Sequence, residues 1–236
     1  MKLKEWNELP DELRNESVKK YYDILYKKRN ILYFKRIFDI AAAVVLFVFL
    51  LPILLFISIA IKIDSKGPII FCQLRVTQYG KIFKIHKFRS MIDSSGRSEL
   101  QITVKNDTRV TDVGRFLRKY RLDEIPQLLN IILGDMSFVG TRPEVVKYVE
   151  KYNDEMKATL LLPAGITSAA SIKYKDEERL LANSCDAEET YVFEILPEKM
   201  KYNLKSLKEY SFWGDIKTII ATAIAVVKKD KKEVST

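Results

Sequence analysis

Histidine and cysteine are the scarcest reactive residues in this chain. It has one histidine, His86, and two cysteines, Cys72 and Cys185, which lie far apart in the sequence. A zinc centre needs several such residues at short spacings, so the sequence argues against one. A Ser-His or Cys-His triad would need His86 as its base, and His86 lies in a strand-like run where a structural role is the simpler interpretation. Two distant cysteines also fit a reducing, cytosol-facing location.

Acidic residues are too few to balance the basic ones. The chain has 40 Lys and Arg residues against 31 Asp and Glu residues, which gives a net charge of +9. Such a charge favours anionic partners, namely nucleic acid, phospholipid headgroups or phosphorylated substrates. The basic residues are spread along the chain rather than held in one tail, and a long apolar segment is present. We therefore expect lipid and phosphate partners and no nucleic acid.

Residues 40–61 carry a single polar side chain and are long enough, as a helix, to cross a membrane core of about 30 Å. Pro52 removes a backbone donor in the middle of this segment and is expected to kink or break the helix. Lys35 and Arg36 precede the segment and Lys62 follows it, whereas a simple span is expected to be basic mainly at its cytosolic end. The pattern favours a helix that enters the membrane, bends at Pro52 and leaves by the same face. A spanning helix and a buried soluble helix are the alternatives.

Short-range patterns predict both strands and helices outside the apolar segment. Residues 69–73 and 81–88 alternate as two short strands, joined by a turn at 78–81. Gly134 is placed to end a helix that begins near residue 125. The predicted helices are residues 11–26, 113–120, 125–133, 175–181, 186–195 and 216–227, and the predicted turns are residues 140–144 and 161–168. The last helix has an apolar stripe, which suits a membrane interface or an ordinary core.

Two adjacent carboxylates, Asp123 and Glu124, stand where the pattern predicts a helix start. One interpretation is helix capping, because Asp is a favoured N-cap residue and Glu suits the first turn. The other interpretation is catalysis. The dipole of a helix N-terminus would keep Asp123 ionised, and an ionised aspartate is a nucleophile toward phosphorus. Glu124 would then bind a hard cation or handle a proton.

Cationic side chains suited to phosphate lie on both sides of the acid pair. Arg118 belongs to a short basic helix just before it, and Arg142 stands in the predicted turn at 140–144. An arginine held rigidly in a turn suits bidentate phosphate binding, although a solvated turn residue is the alternative. Lys87 and Arg89 would share one face of a strand, either as phosphate ligands or as the polar side of an edge strand.

A membrane segment, paired acids and clustered cations together indicate an enzyme that acts on phosphate-bearing lipid at a bilayer surface. Phosphoryl transfer needs positive charge around the phosphate oxygens, and the arginines supply it. Two other classes stay open. A membrane-bound phosphohydrolase would use Asp123 but release sugar phosphate to water, and a non-catalytic basic membrane scaffold would tolerate the loss of Asp123.

Ordered blocks from about residue 34 to residue 227 resemble the bacterial sugar transferases, the monotopic polyprenyl-phosphate hexose-1-phosphate transferases. The core of the resemblance is LDEIPQL at 122–128 and GDMSFVGTRPE at 134–144. Shorter blocks in the same order are KRIFDI at 35–40, FCQLRV at 71–76, KFRSM at 87–91, DTRVT at 107–111 and PAGIT at 163–167. The chain departs from the common pattern at Leu51, Thr77, Thr141 and residues 168–171, and the last of these is expected to affect the choice of sugar.

The resemblance implies a reaction and the residues that perform it. A nucleoside-diphosphate sugar, usually a UDP-sugar, would give its sugar phosphate to polyprenyl (undecaprenyl) phosphate and release UMP. Asp123 would be the nucleophile on the β-phosphate, and Glu124 would assist deprotonation or place Mg²⁺ together with Asp123. The residues that would bind substrate phosphates are Lys87, Arg89, Arg118, Arg142 and Glu144. Membrane lipid would be a further partner, and a homodimer is an open alternative to a monomer.

The expected fold is α+β and predominantly helical, with a re-entrant membrane helix, interfacial amphipathic helices and a small β-hairpin around a compact cytosolic catalytic domain. The expected divisions are an N-terminal polar helical extension (1–33), the re-entrant helix-break-helix (34–66), the catalytic domain (67–200), and a C-terminal interfacial helix with a basic tail (201–236). The implied location is the cytoplasmic face of a bacterial inner membrane, as a monotopic protein in the first membrane step of glycoconjugate synthesis.

Overall fold

The computed structural model describes residues 3–92, 108–174, 177, 181 and 186–233, with side chains up to residue 225. Within these residues the predicted mixed, mostly helical architecture with a small β part is confirmed. The helices are α1 (Glu16–Lys27), α2 (Arg29–Asp64), α3 (Asp112–Lys119), α4 (Gln127–Leu133), α5 (Val146–Val149), α6 (Ala169–Lys173), α7 (Ala187–Thr190), α8 (Leu196–Lys208) and α9 (Phe212–Glu233). The strands are β1 (Ile70–Val76), β2 (Ile82–Phe88), β3 (Met136–Val139) and β4 (Ala164–Thr167).

Helix α2 contains the whole apolar segment and is longer than the segment itself. Its 36 residues run past Pro52 as one helix, about 54 Å long at 1.5 Å per residue. Pro52 deprives only the Val48 carbonyl of its usual donor, and the helix assignment continues on both sides. The predicted break at Pro52 is therefore not a break in the helix, while the re-entrant path stays a prediction. Among the described residues, α2 is the one helix long and apolar enough to cross a membrane, and little of it is buried.

The predicted hairpin is confirmed as the antiparallel pair β1 and β2. Phe71 lies opposite Lys87, and Gln73 lies opposite Ile85. The connecting turn contains Tyr79 at φ 59° and Gly80 at φ 78°, a left-handed conformation that glycine adopts without strain. The inward residues of β2 pack with α2 and α4 in one apolar cluster, which places Lys87 at the end of a strand fixed against both helices.

A second pair of strands, β3 and β4, is parallel and lies in the region of the two predicted turns. Residues 140–144 continue from β3 without a tight turn after the bend at Gly140, and half of residues 161–168, namely Ala164–Thr167, form β4. Both turn predictions were therefore wrong. The small residues allow close approach instead, because a Cβ added to Gly165 would lie 2.1 Å from the nitrogen of Gly140. Hydrogen bonds from Gly140 to Thr167 and from Gly165 to Thr141 continue the pairing into the segment that carries Arg142.

Replacing Gly165 with alanine should therefore lower the stability of the protein. The new methyl group would force the backbones of β3 and β4 apart, which we expect to cost about 1–3 kcal/mol of unfolding free energy. Thermal unfolding in detergent would measure the effect. Gly80→Asn is the matched control, because no atom lies within 4 Å of its added Cβ and asparagine tolerates positive φ. A Gly165→Ala protein as stable as the wild type would contradict the close approach.

The N-terminal residues belong to the same core as the rest of the chain. The predicted helix at 11–26 is observed as a short 3₁₀ turn (Asp11–Leu13) followed by α1, with Asn15 capping α1 through its side chain. The cluster that they form includes Leu13, Val18, Tyr21, Tyr22 and Leu25 on one side and Ala158, Leu161, Leu204 and Leu207 on the other. The division at residue 33 falls inside α2 and the division at residue 200 falls inside α8.

The C-terminal third is helical, as the sequence predicts. The predicted helix at 186–195 begins at the N-cap Asp186 and continues through a π-helical turn (Tyr191–Ile195) into α8. The predicted helix at 175–181 lies almost entirely outside the described residues. Helix α9 covers the predicted helix at 216–227, and Phe212 at its start packs edge-on against Phe34 and Phe38 of α2. Helices α2 and α9 therefore meet through these aromatic side chains.

Candidate active site

Asp123 and Glu124 lie in a tight 3₁₀ turn that precedes helix α4. Arg121 adopts a left-handed backbone at φ 57°, and the turn Leu122–Glu124 follows it directly. Both carboxylates are buried, with 8% and 7% of their surface exposed. The helix start predicted at this acid pair was about one turn too early, since α4 begins at Gln127, and the side chain of Asp123 caps no backbone group there. The capping interpretation of Asp123 is thus wrong.

Glu124 is surrounded by three cations from three parts of the chain. Its Oε1 atom lies 2.7 Å from Arg142 Nη2, 3.3 Å from Lys87 Nζ and 3.7 Å from Arg121 Nη1. Burial alone would raise the pKa of Glu124, but the charges of Arg142, Lys87 and Arg121 outweigh burial and hold this pKa well below its ordinary value. Glu124 is therefore ionised and is a weak base.

Asp123 is in the opposite electrostatic state to its neighbour. Burial, and next the negative charge of Glu124, raise its pKa above the ordinary 3.8, while the charges of Lys87, Arg121 and Arg118 oppose the shift. The expectation that a helix dipole lowers this pKa was wrong, because desolvation is the larger effect. The Oδ1 atom of Asp123 is buried and has no hydrogen-bond partner among the described residues. Because buried oxygen atoms normally have a partner, this atom can still accept a hydrogen bond or bind a cation.

Lys87 and Arg142 reach the same oxygen atom of Glu124 from two different segments of the chain. Lys87 comes from the end of β2, and burial lowers its pKa although Glu124 acts to raise it. Arg142 comes from the extended segment after β3, and Glu124 raises its pKa against the effect of burial. The two cations compensate the buried negative charge of Glu124. Removing them would leave that charge unpaired and would strongly destabilise the folded protein.

The guanidinium group of Arg89 contacts the end of α2 rather than the dyad, the adjacent carboxylates Asp123 and Glu124. Its Nη2 atom donates to the Ser65 carbonyl at 2.7 Å and to the Ser65 hydroxyl at 2.9 Å, at the end of α2. A cation at a helix C-terminus stabilises the helix dipole. The Nε and Nη1 atoms of Arg89 are buried without a hydrogen-bond partner in the described part of the chain.

Glu144 lies in a second buried network behind Arg142. Its Oε1 atom accepts a 2.6 Å hydrogen bond from the Tyr191 hydroxyl and lies 3.6 Å from Lys199 Nζ. Arg75 Nη1 lies 3.9 Å from the other carboxylate oxygen. Burial would raise the pKa of Glu144, but Lys199 and Arg75 together hold it below its ordinary value. This network fixes Glu144, two residues after Arg142, and none of these contacts involves Asp123.

The sequence blocks that resemble the bacterial sugar transferases run from about residue 34 to residue 227, which is most of the chain. A comparison with protein families matches the family described as bacterial sugar transferase over residues 30–229. The chain belongs to the bacterial sugar transferase family.

Curated relatives of this bacterial sugar transferase carry consistent names. A protein of Klebsiella pneumoniae, named UDP-glucose:undecaprenyl-phosphate glucose-1-phosphate transferase, is 38% identical over 192 residues, which is 80% of this chain and 39% of that protein. A protein of Aeromonas hydrophila, named UDP-N-acetylgalactosamine-undecaprenyl-phosphate N-acetylgalactosaminephosphotransferase, is 33% identical over 80% of this chain and 43% of its own length. A third, from Caulobacter vibrioides, is 32% identical over 83% of this chain and 70% of its own length. The chain spans about two fifths of the first relatives it matches.

Three residues of this bacterial sugar transferase that organise the site were missed by sequence reasoning, namely Arg75, Tyr191 and Lys199. Arg75 donates to the Pro143 carbonyl at 3.2 Å, and the backbone nitrogen that follows it donates to the Glu144 carbonyl at 2.9 Å. Lys199 lies on the buried, mostly apolar face of α8, and a cation on such a face is the signal that could have indicated a buried partner.

The donor set of the dyad fits a magnesium ion held together with substrate. The described residues contain no group of three or more His, Cys, Asp or Glu side chains, so an all-protein cage is absent from that part of the chain. Magnesium is commonly bound by one or two carboxylates, with waters and substrate phosphates completing the octahedron. The unpartnered Asp123 Oδ1 suits this mode, whereas Glu124 Oε1 is already occupied by cations.

One cavity of the described structure lies beside the extended segment that carries Arg142 and is not lined by Asp123 or Glu124. It measures about 170 Å³ and lies between the end of β3 and helices α8 and α9. Thr141 lines this cavity, but Asp123 and Glu124 do not. The chemistry is therefore assigned from the charge cluster rather than from the cavity.

Proposed function

We propose that this protein transfers a sugar 1-phosphate from a UDP-sugar to polyprenyl phosphate at a membrane surface. The observation that carries the proposal is the pairing of Asp123, whose buried Oδ1 atom has no hydrogen-bond partner among the described residues, with a Glu124 held by three cations. Family membership and the names of the relatives support UDP-sugars and undecaprenyl phosphate as substrates. The long exposed apolar helix α2 supports a lipid acceptor, which keeps its chain in the bilayer.

Asp123 acts as the nucleophile in a two-step exchange. One carboxylate oxygen of Asp123 bonds to the β-phosphorus of the UDP-sugar, and the bond from that phosphorus to the bridging oxygen breaks. UMP leaves with the bridging oxygen, and the sugar phosphate is held on Asp123 as an acyl phosphate. An oxygen of polyprenyl phosphate then bonds to the same phosphorus, the bond to Asp123 breaks, and the carboxylate is regenerated. Because a phosphate monoester is largely a dianion near pH 7, the second attack needs no base.

Glu124 organises positive charge rather than moving a proton. Its lowered pKa makes it a weak base, and its short contacts hold Arg142 and Lys87 beside Asp123. These cations, with Arg118 and Arg121 acting on Asp123 by their charge, bind the diphosphate oxygens and stabilise charge in the transition state. Their charge also offsets the burial that raises the pKa of Asp123, so more of it is the reactive carboxylate.

Magnesium completes the charge balance in this proposal. The ion would be held by Asp123 and, more weakly, by Glu124 together with substrate phosphates, and when bound it neutralises charge on the diphosphate oxygens. The site would lie on the cytoplasmic face of the inner membrane, with α2 as a re-entrant, monotopic anchor in contact with lipid. Water-soluble UDP-sugar then arrives from the cytosol, while the lipid acceptor diffuses in the bilayer.

Release of UMP by the purified protein in detergent tests the proposal. A panel of UDP-sugars would be assayed with Mg²⁺, with and without undecaprenyl phosphate. We expect lipid-dependent UMP release with one or a few sugars, and a lipid-linked sugar diphosphate as the second product. UMP or sugar phosphate released equally without lipid would indicate a hydrolase instead. No turnover of any nucleotide sugar, with the protein folded, would support the scaffold and contradict the proposal.

A further inference from the structure

Gln127, the first residue of α4, is buried, but its side-chain amide forms no hydrogen bond with the described residues. Only 1% of its surface is exposed, and neither its Oε1 nor its Nε2 atom has a hydrogen-bond partner in the part of the chain that the structure describes. Burying an unpaired amide costs free energy, and an apolar side chain of similar size would avoid that cost. An unsatisfied group of this kind in a native protein therefore calls for a functional explanation.

The position of Gln127 links it to Asp123. The backbone from Leu122 into α4 stays helical, because Ile125 and Pro126 both have right-handed helical dihedral angles. Asp123 lies in the 3₁₀ turn about one helical turn before Gln127. Both side chains are buried and carry atoms without a hydrogen-bond partner among the described residues, so two unsatisfied polar groups lie close together along the chain.

The contacts on either side of Gln127 fix the helix against strand β2. Three residues before Gln127, Glu124 contacts Lys87. Three residues after it, the fully buried Asn130 accepts a 3.0 Å bond from the His86 nitrogen and donates a 2.8 Å bond to the Lys84 carbonyl. Gln127 therefore lies between two satisfied polar contacts on a helix that is held in place. Because glutamine has three rotatable side-chain bonds, its amide can change direction while the helix stays in place.

We propose that Gln127 hydrogen-bonds the phosphosugar group while that group is carried on Asp123. The Nε2 amide donates to a phosphoryl oxygen, and the Oε1 atom accepts from a sugar hydroxyl. A neutral amide supplies both kinds of bond without disturbing the charge balance around Glu124. The inference rests on the proposed function, since it names a contact to the group that this reaction transfers.

Replacing Gln127 with methionine separates this role from a structural one. Methionine fills similar space without polar atoms, so a residue needed only for packing would leave the variant equally or more stable and fully active. We expect thermal stability at or above the wild-type value and a fall in kcat of about 100-fold, the order of effect found when one transition-state donor is removed. The KM for the lipid acceptor should change little. Gln127→Glu, which lacks the amide donor, should show the same loss.

Gln78→Met is the matched control. The Gln78 amide is satisfied by the Leu161 carbonyl at 2.9 Å, so its loss should lower stability and leave kcat nearly unchanged. If the wild type transfers sugar phosphate and Gln127→Met does so at the wild-type rate, the inference about Gln127 fails while the proposed function stands. An activity loss that only follows loss of folded protein in both Gln127 variants also overturns the inference. A wild type without transfer activity would refute the proposed function itself.

Discussion

The Asp123→Asn protein is expected to fold more stably than the wild type and to lose transfer activity by about 10⁴-fold or more. Asparagine keeps the shape of the side chain but cannot form the acyl phosphate, and removal of a catalytic nucleophile has effects of this order in other enzymes. Lipid-dependent UMP release under saturating substrate measures the loss. Asp112→Asn, which removes an exposed acid of helix α3 that is paired with Arg115, is the matched control and should keep wild-type activity.

The gain in stability follows from the direction of the pKa shift at Asp123. The pKa of Asp123 is raised in the folded protein, so the unfolded chain loses this proton first as the pH rises. Stability therefore falls between the unfolded and folded pKa values, and at neutral pH the buried charge is a net cost. Asparagine removes that cost. Thermal melts of the two proteins should differ most near pH 7 and converge below the unfolded pKa of about 3.9. A less stable variant at pH 7 would contradict the assigned state of Asp123.

The Arg142→Gln protein should lose about 10³-fold in kcat/KM, because one residue both contacts Glu124 at 2.7 Å and supplies charge for the phosphates. Arg142→Lys should recover part of the loss, since lysine restores the charge but not the planar pair of donors. Arg14→Gln, which removes a surface arginine that pairs with Asp11, is the matched control. Equal activity of Arg142→Gln and Arg14→Gln would show that the cation at position 142 is dispensable.

The same substitution should change how the protein responds to acid. The pKa of Glu124 is lowered in the folded protein, so its contribution to stability is present above the unfolded value of about 4.3 and is lost as the pH falls below it. Without Arg142, only Lys87 and Arg121 oppose the effect of burial, and the folded pKa rises. Melting temperatures measured from pH 7 down to pH 3 should therefore fall less steeply in Arg142→Gln, starting from a lower value at pH 7.

Local sequence signals were sufficient for elements that depend on neighbouring residues. The hairpin followed from alternation and a glycine turn, and Gly134 ends α4 in the left-handed conformation that its position suggested. The helix near residue 113 begins one residue early, at Asp112, with Thr111 capping it. In each case the deciding interactions lie within a few residues, which is the range over which a sequence pattern is informative.

Properties that depend on distant residues could not be predicted in the same way. Ala164–Thr167 forms a strand by pairing with β3, and no local pattern encodes that parallel pairing. The pKa of Asp123 is raised because the folded chain buries it. Its sequence position before a predicted helix had indicated the opposite shift, a lowered pKa. Glu144 joins a network with Lys199, more than fifty residues later in the chain. The identity of the acid pair was readable from the sequence, whereas its electrostatics were not.

Trapping the sugar phosphate on Asp123 tests the central claim most directly. The protein would be incubated with Mg²⁺ and its UDP-sugar in the absence of lipid, quenched in acid and digested for peptide mass spectrometry. We expect the mass of one sugar phosphate on the peptide that contains Asp123, its absence in Asp123→Asn, and its disappearance when polyprenyl phosphate is added before quenching. Lipid-dependent transfer with the adduct on another residue, or undiminished transfer by Asp123→Asn, would contradict the account.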